Sequence, residues 1–363
     1  MAKKKIYVIC PFPEGVAAGQ RLKYEQYFED WKKNNYDVKV SPFMDLNMWS
    51  IIYLKGHFLE KFVGTVFGHF RRLRDLFLIP HYDIVYVFMW VTPLGTTFFE
   101  RLVCALSKKI VYDVEDNATS TMNNELNRIA GLLKNPRKII HLVKNADHVI
   151  TSSPFLNNYC YKLNKKKKST YVSSSVNTRN FYPTNLYNNN KKVTIGWTGT
   201  FSSKIYIDLL RDVFIKLSKR CEFKLLIIGN FEYSLPGVDL EVIQWNSENE
   251  IKDLQKIDIG VYPLIKDQWA LGKSGLKAIQ YMSFAIPTVA TNVGTTSKII
   301  THLKNGYLVN NNNNDDEWLD ALYKLINNQS LRKRLGIEAR RTIIDNYSTD
   351  VIGKKYLSIL DKL

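Results

Sequence analysis

The sequence predicts an α/β protein in which one architecture is laid down twice. Three observations carry that expectation. Short runs rich in β-branched and aromatic residues alternate with amphipathic stretches of helical period. The strand-like runs are largely apolar throughout, where a half-exposed strand would alternate. The alternation is broken once, by a polar stretch, and then restarts. Apolar strands separated by helices indicate a parallel sheet with helices on both faces. At about 100–200 residues per domain, a chain of this size holds two domains. The expected fold is therefore two Rossmann-like parallel-sheet domains facing across a cleft, with ligands at the carboxyl ends of the strands.

In the first half, strands are expected at residues 5–10 (KIYVIC), 36–43, 82–90, 109–114, 148–153 and 170–175. Helical patterns lie at 20–34 (QRLKYEQYFEDWKKN), 96–108 and 136–146. The stretch 183–192, PTNLYNNNKK, is polar, contains Pro and has no apolar period, so it reads as the linker. Strands then resume at 193–199 (VTIGWTG), 224–230, 240–245, 258–264, 286–292 and 306–310. The asparagine-rich run 310–316 reads as a solvated turn before a helix near Glu317. The expected domains are 1–185 and 191–348, with an amphipathic helix at 349–363 packing back on the first.

Composition narrows the function classes. Hydrophobic residues make up 45% and charged residues 23% of the chain, which excludes wholesale disorder, collagen and coiled coil. No run of ~18 apolar residues offers a membrane-spanning helix. The start, MAKKKIYVICPF, reads as a first strand and not as a signal peptide. Cys10, Cys104, Cys160 and Cys221 are scattered, with neither zinc spacing nor a disulfide framework, which points to the cytosol. The net charge is +17, unevenly spread. Residues 1–190 carry 27 basic and 15 acidic groups, while residues 191–363 carry 24 and 19. A basic first half implies an anionic partner: nucleic acid, a phospholipid surface or a phosphorylated substrate.

Four strand-to-helix turns hold candidate functional residues. PFPEGVAAGQRLKY (11–24) offers small residues, among them Gly19, for close backbone approach, and Arg21 where a helix is expected to start. Its plainer alternative is a connecting loop with a surface Arg. YDVEDNATS (112–120) crowds Asp113, Glu115 and Asp116 at a strand end. These could orient sugar hydroxyls, act as a base or bind a metal; the alternative is a helix cap from Asp116 or Asn117. GWTGTFSSK (196–204) joins a glycine turn to hydroxyls and Lys204, although neither GxxxxGK[ST] nor GxGxxG is present. In DQWALGKSGLKAIQYMSFAIPTVATNVG (267–294), Gly272 precedes a helix expected to open with Lys273, and Lys277 and Gln280 follow on the same face. A lysine at a helix N-terminus suits a leaving diphosphate. By themselves, Lys273 and Lys277 read more readily as solvated surface lysines.

The last segment resembles the donor-site signature of glycosyltransferase family 4, the group 1 glycosyltransferases of the GT-B fold. The common form there is E-G-F-G-L-x-x-x-E-A-M-A-x-G-x-P-V, and a bacterial subgroup writes R-G-K-x-x-x-K-x-x-(E/Q)-Y-M-A-x-G-x-P. Residues 272–289 here read GKSGLKAIQYMSFAIPTV. Residues 14–31, 111–118, 240–264 and 331–348 are similar to further segments of that subgroup in the same order. The resemblance implies a retaining, metal-independent transferase acting on a nucleotide-sugar, which is a substrate and not a cofactor. It implies Lys273 as a catalytic ligand of the diphosphate or the donor sugar; Asp116 or Glu115 is expected to orient the acceptor. It implies Gly199, Thr200, Lys204, Gly272, Lys277 and Gln280 around the donor, with Gln280 on the ribose, and Gly19, Arg21 and Asp113 around the acceptor. Three features depart from the pattern. Gly272 stands where the first glutamate of E-x7-E would be. Lys204 alone represents an expected Arg and Lys pair. The carboxylate cluster replaces a histidine after the fourth strand.

The acceptor expected from the resemblance is a glycan or lipid-linked saccharide in bacterial surface polysaccharide assembly. Residues 48–80, rich in aromatics and carrying Lys55, Lys61, Arg71, Arg72 and Arg74, read either as a helix on an anionic inner-membrane surface or as a core-facing helix with a basic outer face. The expected location is cytoplasmic, peripheral on that membrane. Other readings are a GT-B protein that only binds glycan or nucleotide-sugar, an epimerase of the same fold, and a nucleic-acid-binding protein. The last lacks a recognition motif, so no nucleic-acid partner is expected.

Overall fold

The computed structural model describes residues 3–115, 135–184, 192–310 and 315–363. The chain divides into two compact units. The first comprises Met1–Ser173, Gly272–Ser274 and Gly353–Leu363, and the second Ser174–Leu271 and Gly275–Ile352.

The first unit is built on β1 (Lys4–Cys10), β2 (Tyr36–Pro42), β3 (Ile84–Phe88), β4 (Ile110–Val114), β5 (His148–Thr151) and β6 (Ser169–Tyr171). They pair in parallel in the order β2-β1-β3-β4-β5-β6. β1, β3 and β4 are almost entirely buried, which explains their unbroken apolar sequence. Helices α1 (Phe28–Lys33), α2 (Leu46–Ile51), α3 (Phe58–Leu78), α4 (Phe98–Leu106), α5 (Arg137–Asn145) and α6 (Pro154–Leu163) belong to this unit. One core joins Ile9, Val87, Tyr112, Leu142 and Val149.

The helix expected over 20–34 is broken into a turn at Ala18–Arg21, a 3-10 turn at Glu25–Tyr27, and α1. The cause lies in three inward-turned polar side chains. Gln20 accepts from Phe12 N and donates to Phe12 O, both at 3.0 Å, and also donates to Glu25 Oε1 at 2.8 Å. Glu25 Oε2 accepts from Gly15 N at 2.9 Å. Lys23 turns under the sheet end toward Asp113. These bonds shape the loop after β1 and outweigh helical continuity.

The second unit holds β7 (Thr194–Gly199), β8 (Lys224–Gly229), β9 (Leu240–Gln244), β10 (Ile259–Tyr262), β11 (Thr288–Thr291) and β12 (Gly306–Val309). Their parallel order is β12-β11-β10-β7-β8-β9, which is the doubly wound Rossmann order. Its helices include α7 (Arg211–Ser218), α8 (Leu276–Ser283), α9 (Asp315–Asn327) and α10 (Gln329–Tyr347). All twelve expected strands are present, within four residues at their ends. Residues from Ser174 group with this unit, upstream of the polar stretch read as a linker. They are tied there by the Val176–Ser348 bridge and by Arg340, which donates to the carbonyls of Thr178 and Phe181. The closing helix α11 (Thr349–Asp361) contributes its residues from Gly353 onward to the first unit, where Tyr356 packs on Tyr27 and Trp31.

Helix α3 is mounted with an unusual polarity. Its inner side carries Gly64 and Gly68, pressed on Met48 and Phe43, and the buried pair Arg72–Asp75. Its outward side carries Phe58, Leu59, Phe62, Phe70 and Phe77, each at least 60% exposed. Arg72 is an internal clamp: it donates to Cys10 O at 2.8 Å, Val91 O at 2.7 Å, Ser41 O at 3.1 Å and Asp75 Oδ2 at 2.8 Å. Arg72 is therefore corrected from a surface charge to a core residue. Arg71 bonds Asp45 at 2.7 Å, and Arg74 remains half-exposed.

Candidate functional site

In the second sheet the strand order reverses between β7 and β10, and ligands of such sheets bind where it does. The turn after β7 begins at Gly199, whose α-carbon sits so close to Trp197 and Ser203 that a Cβ would lie 2.3 Å from the indole and 2.6 Å from Ser203 Oγ. The chain then runs through a 3-10 turn, Phe201–Ser203, into a short helical turn opened by Lys204. Asn230, beyond β8, fixes this turn by accepting from Phe201 N at 2.8 Å. Thr200 is exposed, with its hydroxyl 2.9 Å from Ser202 Oγ. Lys204 lies over the Tyr233 ring, 5.7 Å from its centre, and Arg211 lies over the same ring at 5.4 Å.

From β10 the chain passes a helical turn, Gln268–Gly272, and reaches α8 only at Leu276. Lys273 therefore does not open a helix, and Gly272 ends one. Gly275, with φ of +77°, caps α8 in the left-handed conformation, and a Cβ there would collide with Ile299 at 2.4 Å. That glycine separates Lys273 from the helix. Lys277 and Gln280 do share a face of α8. Lys277 is half-buried over Trp197 and Tyr262, 5.8 and 5.6 Å from the ring centres. Gln280 is buried and donates to Glu250 Oε1 at 3.2 Å. The neighbouring Tyr281 hydroxyl accepts from Thr198 N at 2.8 Å, so α8 also holds the end of β7. Lysines and hydroxyls on the turns after β7 and β10 are side chains of the kind that suits an anionic, hydroxyl-rich ligand.

The first unit gathers Gly19 and Glu115: a Cβ on Gly19 would lie 3.2 Å from Glu115 Oε2. Arg21 ends the turn Ala18–Arg21, where it was expected to begin a helix. Asp113 requires a larger correction. It is fully buried, its Oδ1 lies 2.6 Å from Lys23 Nζ, and Tyr86 donates to its other oxygen. Burial pushes its carboxyl above the usual range, while Lys23 pulls it down. Asp113 is a structural ion in the core and does not face an acceptor. Asp116 lies outside the described residues. Among the described residues, no group of three or more His, Cys, Asp or Glu side chains is placed to hold a metal.

Sequence reasoning missed the partners that shape the turns: Trp197, Tyr262, Glu250, Asn230 and the Gln20–Glu25 clamp. Trp197 and Tyr262 stand within quoted motifs. Only their position near strand ends, at a spacing bridged by Lys277, could have singled them out.

A family profile described as "Glycosyl transferases group 1" matches residues 179–342. Over 88 residues the chain is 38% identical to the poly(ribitol-phosphate) alpha-N-acetylglucosaminyltransferase of Staphylococcus aureus (strain COL), covering 24% of this chain and 18% of that protein. Over 219 residues it is 27% identical to an uncharacterized glycosyltransferase of Methanocaldococcus jannaschii, covering 56% and 58%. The chain thus spans less than two thirds of the curated relatives it matches. Among solved structures, the sucrose-phosphate synthase of Thermosynechococcus elongatus matches with a TM-score of 0.70 over 99% of both chains at 13% identity. Anabaena HepE, solved in complex with UDP-glucose, matches with a TM-score of 0.67 over 99% of this chain and 100% of that one, at 11% identity. The fold is that of the GT-B glycosyltransferases. Residues 179–342 match the group 1 glycosyltransferase family model.

Proposed function

We propose that this chain is a retaining, metal-independent glycosyltransferase that moves a sugar from a nucleotide-sugar to a glycan or lipid-linked saccharide in surface polysaccharide assembly. The reading is supported above all by the β7–β10 reversal point of the second sheet, which lies within the matched region together with Lys204, Lys277 and Gln280. The relatives add weight: one is named for transfer of N-acetylglucosamine to poly(ribitol-phosphate), and HepE was solved with UDP-glucose. As the bond from the anomeric carbon to the diphosphate breaks, negative charge gathers on the departing nucleoside diphosphate. Preorganised cations lower that barrier, and Lys204, Lys273 and Lys277 are the candidates. Gln280 addresses the ribose. The acceptor hydroxyl attacks from the leaving-group side, oriented by Glu115 and Asp116, with no covalent nucleophile assigned. No resident cofactor or metal takes part. The test is transfer and donor hydrolysis with a panel of nucleotide sugars, before and after exhaustive EDTA. Turnover with at least one donor, unchanged by EDTA, is expected. Loss on chelation with rescue by manganese or magnesium would make the 113–116 region a metal site, and turnover with no donor would leave a binding protein.

The same reading places the enzyme at an anionic membrane surface. No helix among the described residues is long and apolar enough to cross a membrane. The support is α3, whose apolar side faces outward, with Lys55, Lys61 and Arg74 along the same segment. An amphipathic helix of this kind suits the headgroup layer of an anionic bilayer. The protein should sediment with anionic liposomes at low salt and release at high salt. Replacing Phe62, Phe70 and Phe77 with Gln should abolish sedimentation without changing donor affinity. Absence of sedimentation in the wild type would assign the face to a protein partner instead.

A further inference from the structure

A second basic feature lies in the first unit, on residues not assigned above. A cavity of about 340 Å³ opens where α4 and α5 begin, lined by Thr96, Thr97, Arg101, Arg137, His141 and Lys144 among others. The volume is at the lower end for small-ligand sites. Arg137, His141 and Lys144 recur at helical spacing on the side of α5 opposite Leu142 and Val143, which enter the core. Arg101 reaches the cavity from the first turns of α4. A basic helix side is ordinarily a solvated surface. Three observations set this one apart.

Among the described residues the lining contains no carboxylate. Arg101, Arg137 and Lys144 form no ion pair among the described residues. Three like charges gathered around one concavity repel one another, a cost that a bound anion removes. Burial and the charge of Arg101 hold the His141 imidazole below its ordinary range, a sign of the local positive field. The second observation is the pair of helix starts. Thr97 precedes α4 and Asn135 lies just before α5, and both helices are nine residues long. The positive ends of two helix dipoles therefore meet at the cavity. The third is the rigidity of its back wall. The buried Lys138 ammonium donates to Thr92 Oγ1 at 2.7 Å, to Thr92 O at 3.1 Å and to Leu94 O at 2.6 Å, and lies 3.6 Å from Glu100. This clamp pins the loop that leads into Thr96 and Thr97. Lys138 and Glu100 neutralise each other, so the charge facing the cavity comes from Arg101, Arg137 and Lys144.

We infer that this cavity is a binding site for a phosphate ester, with Arg101, Arg137 and Lys144 holding the phosphate and Thr96 and Thr97 facing the polyol or sugar that carries it. Guanidinium forks favour phosphate oxygens in pairs, and the cavity has room for more than a bare ion. The inference does not rest on the transferase reading: Lys204, Lys273, Lys277 and Gln280 are not among the residues that line the cavity.

The test is calorimetric titration of the full chain with glycerol 3-phosphate, inorganic phosphate and glycerol. The expected result is saturable one-site binding of glycerol 3-phosphate, weaker binding of inorganic phosphate, and none of glycerol. The double variant Arg101→Ala/Arg137→Ala should bind at least ~10-fold more weakly, because two charge-assisted contacts are lost. Both arginines are exposed, so the melting temperature should not move. Lys273→Ala should retain the binding, which separates this site from any diphosphate site. Equal affinity in wild type and double variant, loss in Lys273→Ala instead, or no saturable binding would each overturn the inference. Equal binding of inorganic phosphate and the ester would reduce the site to a free-phosphate site. A preference for oligonucleotides over the ester, lost in the double variant, would replace the ligand class with nucleic acid.

Discussion

Two lysines, one in each unit, lie near a sheet's strand ends and over aromatic rings, yet they have opposite surroundings. Lys23 sits 5.8 Å from the centre of Phe88, is 2% exposed, and pairs with the buried Asp113. Lys277 sits over Trp197 and Tyr262 at similar distances and keeps part of its surface in solvent. In the first case a carboxylate has been brought inside to meet the cation. In the second, ring faces flank the cation, and the side chain is only half-buried. A paired buried ion contributes to a unique packing and has no charge to offer a ligand. A lysine resting on rings gives up little hydration and stays available to a phosphate. The family resemblance placed both Asp113 and Lys277 at a substrate, and their surroundings separate them.

The largest effects test this contrast directly. Lys23→Met or Asp113→Asn removes one partner of a buried pair and should cost about 3–5 kcal/mol of stability, read by urea unfolding. The double replacement Lys23→Met/Asp113→Leu should recover much of that loss, since the desolvated charge is gone. Lys277→Met should leave stability within about 1 kcal/mol of wild type and weaken nucleoside-diphosphate binding, measured by calorimetry. If Lys23→Met is as stable as wild type, the pair is not the structural element described.

Lys273 comes next. Lys273→Ala should lower turnover by at least ~100-fold, the usual cost of losing one preorganised charge-stabilising group. Because Lys273 is half-buried outside any helix, unfolding should change little. Near-wild-type turnover would move the diphosphate away from this residue and toward Lys204 and Lys277.

The fold was more legible than the site, for a physical reason. Strands such as IVYVF and KLLIIG are buried on both faces, so their burial is written as composition. The order of motifs carried the second unit in the same way. What could not be read were directions. Nothing in VYDVED says that Asp113 points inward to Lys23, because that contact joins residues ninety apart. The 20–34 stretch has a good helical period, but the bonds of Gln20 and Glu25 to a preceding loop override it. In residues 48–80 the helix was legible and its facing was not. Sequence gives the apolar stripe, while the small residues Gly64 and Gly68 and the Arg72–Asp75 pair decide which side lies against the sheet.

The smallest effects concern Gln280. The resemblance alone implies that glutamate should serve here as well as glutamine, since both can bond ribose hydroxyls. The structure predicts otherwise. Gln280 is buried and its amide nitrogen donates to Glu250 Oε1, so a glutamate would set two carboxylates against each other in a poorly solvated place. Gln280→Glu should therefore lower stability by about 1–3 kcal/mol near neutral pH, the cost of a buried polar contact turned unfavourable. Acidification should recover part of this. A proton held by the folded carboxylate pair and not by the unfolded chain stabilises the folded state as pH falls. Gln280→Ala removes the contact without adding charge. It should cost less stability and raise the apparent KM for donor a few-fold to tenfold, equivalent to one hydrogen bond of about 0.5–1.5 kcal/mol. Melting curves across pH and nucleoside-diphosphate titrations of both variants distinguish the outcomes. If Gln280→Glu matches wild type at every pH, the Glu250 contact does not hold in solution. If Gln280→Ala binds nucleoside diphosphate with wild-type affinity, the ribose lies elsewhere on the second sheet.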